Sequence, residues 1–129
     1  MSYHLENVRS EKLHILQEIA KEKIEKILKK HGAVYLPTPL LLPKSDIYAN
    51  VEACVKLMTH SGSIVNLPYD LRVPFARYVA SKEVTRLRRY AVDRVYREKK
   101  IHGFHPKELY ECVFDIVTPT QGNFNFFFL

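Results

Sequence analysis

The 129-residue sequence predicts a single domain with an α+β fold. Three observations predict it. Apolar residues between residues 11 and 30 recur at steps of three and four, as in an amphipathic helix. Two short apolar runs flank the polar residues 60–63, a pattern typical of a β-hairpin. Two longer segments, 88–97 and 109–117, alternate polar and apolar residues as strands do.

The first helix is predicted to begin at Glu11, with Ser10 as its N-terminal cap, and to end at the left-handed residue Gly32. One apolar stripe runs along it, formed by Leu13, Leu16, Ala20, Ile24, Ile27 and Leu28. Residues 33–36 form a strand candidate. Three prolines between residues 37 and 43 interrupt the apolar stretch that follows. Because proline donates no ladder hydrogen bond, a strand here lies at an edge, lies at an interface or is interrupted.

A second helix is predicted over about residues 73–84, followed by the two alternating strands and, between them, a basic loop over residues 98–108. The domain is expected to span residues 1–118. Residues 119–129 include a phenylalanine-rich tail that indicates truncation or a splicing artefact. A short final strand buried against a partner is the alternative for this tail.

The net charge of +6 is unevenly distributed, since residues 72–107 contain eleven Lys or Arg and only three acids. A concentrated basic segment favours a polyanion such as RNA as partner. A solvated face with scattered ion pairs accounts for the composition equally well. The candidate RNA-binding residues are Arg86, Arg88, Arg89, Arg94, Lys99, Lys100 and Lys107.

Several classes of protein are disfavoured by the sequence. No apolar run reaches the roughly 18 residues of a membrane helix, and the first residues do not resemble a secretory signal. Cys54 and Cys112 lack metal-site spacing and are expected to be reduced, mostly buried thiols of a cytoplasmic protein. The six histidines form no convincing catalytic or metal-binding set. We therefore predict no metal site and no catalytic residues.

A proline followed by two apolar residues, seven positions after a glycine, resembles the first motif of the class II aminoacyl-tRNA synthetases. Here these residues are Gly32, Pro39, Leu40 and Leu41. In that class the motif forms the dimer interface. The resemblance therefore implies a homodimer through these four residues.

A more specific resemblance follows downstream. Residues 67–80 (LPYDLRVPFARYVA) are similar to the histidyl-tRNA synthetase stretch LRYDLTVPFARYLA. Residues 95–97 (VYR) and 107–116 (KELYECVFDI) resemble the second class motif. The phrase FHPKELYEC, over residues 104–112, is closer to the synthetase-like domain of the starvation-sensing protein kinases of the general control pathway. The resemblance implies a partial class II core, a mixed and mostly antiparallel sheet with flanking helices.

The resemblance also places an ATP- and amino-acid-binding pocket in this chain. Its positions are Asp70, Arg72, Arg97, Lys99, Leu109, Glu111 and Asp115. Arg97 matches the arginine that contacts the α-phosphate, a role that suits a planar guanidinium. A structural ion pair of Arg97 with Asp115 or Glu111 is an equal alternative.

Four of these positions depart from the synthetase pattern. Arg72 replaces a threonine and would bring a cation to the place where the ammonium group of a substrate amino acid binds. In a structural alternative, Arg72 pairs with Asp70 or Asp115 and closes the pocket. The other departures are Lys99 for an acid, Leu109 for an adenine-stacking phenylalanine, and Glu111 for a glutamine.

These departures predict that the pocket is inactive, that the chain has no cofactor and that ATP binding is not expected. The third class motif, which supplies a further ATP-binding arginine, has no match within the sequence. The resemblance implies a regulatory module that binds uncharged tRNA and signals to a protein kinase domain. No kinase motif occurs in these 129 residues. The alternative is a fragment of a true histidyl-tRNA synthetase.

Overall fold

A computed structural model describes residues 2–48, 51–98, 106–120 and 123–124, with side chains described from residue 11 to residue 119 within those ranges. Two helices occur there, α1 (Ser2–Lys30) and α2 (Arg72–Ser81). The eight strands are β1 (Val34–Tyr35), β2 (Leu42–Pro43), β3 (Lys56–Met58), β4 (Ile64–Asn66), β5 (Leu87–Arg97), β6 (Lys107–Val117), β7 (Pro119–Thr120) and β8 (Asn123–Phe124). A short 3-10 turn occupies Asp46–Tyr48.

The main sheet has the order β1–β5–β6. Strand β1 runs parallel to β5, whereas β5 and β6 are antiparallel over their whole length, from the pair Leu87–Val117 to the pair Arg97–Lys107. A second sheet has the order β2–β4–β3, and β7 pairs with β8. The predicted α+β fold with a mixed, mostly antiparallel sheet is confirmed.

The predicted hairpin at residues 60–63 is confirmed as the β3–β4 turn. Gly62 has a φ of +88°, a backbone conformation that glycine adopts without steric cost, and its N–H donates to the Thr59 carbonyl oxygen at 2.9 Å. The proline-interrupted segment forms only the two-residue strand β2, which pairs with β4 at the edge of the small sheet. This agrees with the expectation of an interrupted edge strand.

The predicted start of the first helix is wrong. Helix α1 begins at Ser2, so Ser10 lies inside it and is not its cap. The predicted end is confirmed, because Gly32 has a φ of +78° and follows the last turn. The apolar stripe is only partly covered: Leu28 is buried and Ile24 is half-buried, whereas Ile27 and the stripe residues nearer the N-terminus are exposed.

The sheet separates two groups of packed side chains. On one face, Leu28 and Ala33 pack with Tyr90 and Val92, which attaches the C-terminal half of α1 to β5. On the other face, Leu71 packs against Ala91, Val95 and Val113 under the start of α2. Because side chains alternate along a strand, odd-numbered positions of β5 and β6 form this second face, hereafter the pocket face.

The second helix is shorter than predicted. Helix α2 ends at Ser81, three residues before its predicted end. Cys54 is buried as expected, but Cys112 is exposed, so the prediction of two buried thiols is wrong for the second. Of the phenylalanine-rich tail, residues 121–122 and 125–129 lie outside the described residues. No helix in the described part of the chain has the length and apolarity needed to cross a bilayer.

Candidate functional site

The pocket face collects four of the residues predicted to form the pocket. Arg97 lies on β5, and Leu109, Glu111 and Asp115 lie on β6, all at odd-numbered positions of the hairpin. Leu109 packs against the apolar cluster around Leu71 on this face. Residues 70 and 72 flank Leu71 at the start of α2. Because Leu71 packs on the pocket face, the start of α2 lies over this face.

A buried ion pair braces the centre of the site. Arg89 and Asp115 are 0% and 1% exposed, and Arg89 Nε donates to Asp115 Oδ2 at 2.8 Å. A second guanidinium nitrogen of Arg89 donates to the Leu71 carbonyl oxygen at 2.6 Å, and the group lies 4.0 Å from the ring centroid of Phe75. Burial lowers the pKa of Arg89, and Asp115 opposes that shift. The guanidinium is thus held by groups inside the protein.

This burial corrects one of the RNA-binding predictions. Arg89 was placed in the RNA-binding set because it lies in the basic segment between Arg88 and Arg94. Its side chain faces inward, with no surface exposed to solvent. A phosphate outside the protein therefore has no access to it in this structure, and the prediction for Arg89 is wrong.

Arg72 lies beside the same carboxylate. Its Nε is 4.0 Å from Asp115 Oδ1, and its side chain is 34% exposed. Asp115 therefore lies between two guanidinium groups, that of the fully buried Arg89 and that of the partly exposed Arg72. The distance is too long for a hydrogen bond, so this contact is an electrostatic one. Of the two partners predicted for Arg72, the structure shows Asp115.

Asp70 is fixed by two donors. The hydroxyl of Tyr48 donates to Asp70 Oδ1 at 3.0 Å, and the backbone N–H of Val73 donates to the same oxygen at 3.1 Å. The second bond satisfies one of the free N–H groups at the start of α2, where a negative charge is also favoured. Burial, followed by the nearby Asp70 carboxylate, raises the pKa of Tyr48. Tyr48 could not be identified from the sequence, because it lies in the 3-10 turn, more than twenty residues before Asp70.

Glu111 lies among the charges of the site. Burial raises the pKa of Glu111, and Asp70 adds to the effect. The Leu71 N–H, Arg72 and Arg97 act in the opposite direction. Its Oε2 is buried and has no hydrogen-bond partner among the described residues. The glutamate is therefore a desolvated acid whose charge is partly balanced by two arginines.

Arg97 is held mainly by a tyrosine. Its guanidinium carbon lies 4.5 Å from the ring centroid of Tyr69, and one of its nitrogens lies 3.5 Å from the Tyr69 carbonyl oxygen. Within the described part of the chain, Arg97 forms no ion pair with Asp115 or Glu111, so that structural alternative is wrong. Stacking on Tyr69, a residue that the sequence did not single out, fixes the group instead.

The other predicted basic residues are placed at the surface or are not described. Arg86, Arg88, Arg94 and Lys107 are exposed, whereas Lys99 and Lys100 lie outside the described residues. Arg94 forms an ion pair with Glu108 at 3.7 Å and donates to the Tyr110 hydroxyl at 3.1 Å. The expectation of scattered ion pairs is thus met at Arg94 but does not extend to every arginine.

The four residues predicted to form a dimer interface occupy the end of α1 and the loop after β1. Leu40 and Leu41 are 59% and 53% exposed, and Pro39 and Gly32 are also exposed. Strand β1 lies at the edge of the main sheet. No group of three or more His, Cys, Asp or Glu side chains in the described ranges is arranged to hold a metal ion.

Most of this chain is similar in sequence to known proteins. No protein-family model matches the chain. The chain is 55% identical over 109 residues to the mouse protein "eIF-2-alpha kinase GCN2", covering 84% of this chain and 7% of that protein. It is 35% identical over 105 residues to the cytoplasmic histidine–tRNA ligase of Arabidopsis thaliana, covering 78% of this chain and 12% of the ligase. The chain thus spans only a small part of these relatives.

A solved structure shows the same fold. The Bacillus halodurans protein described as an ATP phosphoribosyltransferase regulatory subunit/histidyl-tRNA synthetase superposes with a TM-score of 0.67 at 20% identity, over 81% of this chain and 29% of that one. By sequence and by fold, the chain is a histidyl-tRNA-synthetase-like chain of the class II type, related to the GCN2 kinases and to the histidine–tRNA ligases.

Proposed function

We propose that the chain is a catalytically inactive, histidyl-tRNA-synthetase-like regulatory module that binds uncharged tRNA and signals amino-acid starvation to a protein kinase domain elsewhere in the full-length protein. The observation that carries the proposal is the position of Arg72 beside Asp115, within the set of pocket residues. The similarity to GCN2 kinases, which is higher than that to histidine–tRNA ligases, supports the link to a kinase.

The electrostatics of the pocket supports the loss of amino-acid activation. An amino-acid substrate brings an ammonium group, which needs a carboxylate that is free to receive it. Asp115 already faces two guanidinium groups, so its charge is no longer free for an ammonium group. A further cation next to Arg72 would be repelled in a partly desolvated site, where such repulsion costs several kcal/mol.

The first test is histidine activation. We expect no histidine-dependent exchange of pyrophosphate into ATP by the natural full-length protein, because Arg72 occupies the place of the substrate ammonium group. The cytoplasmic histidine–tRNA ligase of Arabidopsis thaliana serves as positive control under the same conditions. Exchange that requires histidine and exceeds the background without enzyme would favour the alternative, a diverged histidyl-tRNA synthetase.

The second test is tRNA binding across a salt series. Because each phosphate contact releases counterions, the logarithm of the association constant should fall linearly with the logarithm of salt concentration, with a slope of roughly −0.7 to −0.9 per contact. We expect such a slope for uncharged tRNA with the full-length protein. Filter binding or fluorescence anisotropy measures it. Binding that is absent, or that does not change with salt, would contradict the RNA-binding part of the proposal.

A homodimer is also part of the proposal. Five apolar residues of this region are each more than half exposed: Leu13, Leu16 and Ile27 on α1, and Leu40 and Leu41 after β1. Burial of such residues against a second copy would remove apolar surface from water. Strand β1, at the sheet edge, also leaves backbone groups available for pairing.

A further inference from the structure

An open cleft lies where α1 ends and β5 begins. Its volume is about 520 Å³, and its lining includes Gly32, Arg86, Arg88, Thr118 and Pro119. None of the described residues that line it is acidic. A concave surface with two arginines and no acid favours an anionic ligand, because each guanidinium presents several N–H donors and a permanent positive charge.

Arg88 is held in place at this corner. Its NH1 nitrogen donates to the His31 carbonyl oxygen at 3.1 Å, at the end of α1. Lys29 and Lys30, in the last turn of the helix, are exposed near the same helix end. Four cationic side chains thus belong to one region, hereafter the basic corner: Lys29, Lys30, Arg86 and Arg88.

Arg86 and Arg88 differ from three other arginines of the basic segment in how their charge is balanced. Arg72 and Arg89 are near Asp115, and Arg94 is paired with Glu108. By contrast, neither Arg86 nor Arg88 forms an ion pair with any residue that the structure describes. The positive charge of Arg86 and Arg88 is therefore available to a partner of the cleft.

The basic corner is also separate from the pocket face. Neighbouring side chains on β5 point to opposite faces of the sheet, so that Arg88 faces away from the pocket whereas Arg89 faces into it. Arg89 therefore supports the pocket, whereas Arg88 lies on the opposite face, where a partner can reach it.

From this distribution we infer that the basic corner binds the phosphodiester backbone of RNA through Arg86 and Arg88, an inference that rests on the proposed tRNA binding. The guanidinium fork suits phosphate oxygens, and Lys29 and Lys30 add positive charge at the end of α1. Contacts of this kind fix the position of the RNA without reading its bases. RNA would thus contact this chain on a surface away from the degenerate amino-acid pocket.

The test uses the full-length protein and uncharged tRNA in the salt series described above. We expect the double variant Arg86→Gln, Arg88→Gln to bind more weakly, with a salt slope shallower by about 1.4 to 1.8, the value for two lost phosphate contacts. The variant Arg86→Lys, Arg88→Lys keeps the charge and should retain most of the slope. A matched control, Lys44→Gln with Lys56→Gln, removes the same charge from two exposed positions of the small sheet region and should leave the slope unchanged.

The outcomes separate the two proposals. If the unmodified protein binds no tRNA, both the proposed function and this inference are overturned. If it binds tRNA but the Arg86→Gln, Arg88→Gln variant keeps the slope of the unmodified protein, this inference alone is wrong. Circular dichroism spectra of the variants establish that they are folded, which is expected because both arginines are exposed.

Discussion

Replacing Asp115 by alanine should lower the free energy of unfolding by about 3–5 kcal/mol, the usual effect of removing one partner from a buried ion pair. Arg89 has no exposed surface, and Asp115 is the acid that lies within hydrogen-bond distance of it. Without that carboxylate, a charged guanidinium would stay inside the protein with only the carbonyl oxygens of Leu71 and Leu36 as acceptors. The variant Asp115→Ala is therefore expected to be strongly destabilised.

Urea-induced unfolding followed by circular dichroism measures the change, with Glu108→Ala as the matched control. Glu108 also pairs with an arginine, but both side chains are about half exposed, at 45% and 50%. Exposed pairs contribute roughly 0–1 kcal/mol, so the control should unfold close to the unmodified chain. If the two alanine variants have the same stability, Asp115 does not have the bracing role assigned to it.

A second variant separates charge balance from packing. The double substitution Arg89→Met, Asp115→Leu removes both charges and keeps apolar side chains of similar length in the same place. Because replacing a buried ion pair with apolar groups is often neutral or stabilising, this variant should recover much of the stability lost in Asp115→Ala. If it is no more stable than Asp115→Ala, the loss comes from packing alone.

The strands, and the face of the sheet that positions 97, 109, 111 and 115 share, could be predicted from the sequence because they depend on local patterns. The alternation in residues 88–97 and 109–117 predicted the hairpin β5–β6, and the odd spacing of positions 97, 109, 111 and 115 then places their side chains on one face. The similarity of residues 67–80 to histidyl-tRNA synthetases assigned Asp70 and Arg72 to the same site. The alternation along the strands and a family motif were thus enough to predict that these residues, distant in the sequence, lie near one another.

The role of each arginine could not be predicted in the same way. Arg88 and Arg89 are chemically identical neighbours, yet one is exposed and hydrogen-bonded to the end of α1 and the other has no exposed surface. Only the register of β5 against β6 decides which one faces Asp115. Composition indicated a basic segment but did not show which of its charges are neutralised inside the protein.

Tyr48 and Tyr69 were missed for a related reason. Their contributions are single contacts between distant segments: Tyr48 donates to Asp70, and the ring of Tyr69 packs under Arg97. Neither residue lies in a periodic segment that would indicate its orientation.

The start of α1 was predicted wrongly because serine is both a favourable N-terminal cap and a residue that a helix tolerates in its interior. Ser10 was read as the cap, whereas the helix continues through it to Ser2.

Replacing Leu40 and Leu41 by aspartate should weaken the proposed homodimer by about 10²- to 10⁴-fold. Full burial of one leucine contributes about 1.5–3 kcal/mol, and each 1.4 kcal/mol corresponds to tenfold in affinity. The homodimer loses four leucines, each already nearly half buried in its protomer, so the total loss is about 3–6 kcal/mol. Sedimentation equilibrium or light scattering of the full-length protein over a concentration series measures the dissociation constant. Since both leucines are more than half exposed in the protomer, the same substitutions should change the free energy of unfolding of the monomer only slightly.

Leu57→Asp provides the matched control, because Leu57 is an exposed leucine, at 42%, on the β3–β4 hairpin outside the predicted interface. This control should dimerise like the unmodified protein. An unmodified protein that stays monomeric, or a Leu40→Asp, Leu41→Asp variant with an unchanged dissociation constant, would contradict the proposed interface. The comparison is decisive because exposed leucines occur at both places. Apolar exposure alone predicts an effect at both, whereas the resemblance to the first class II motif predicts an effect only at Leu40 and Leu41.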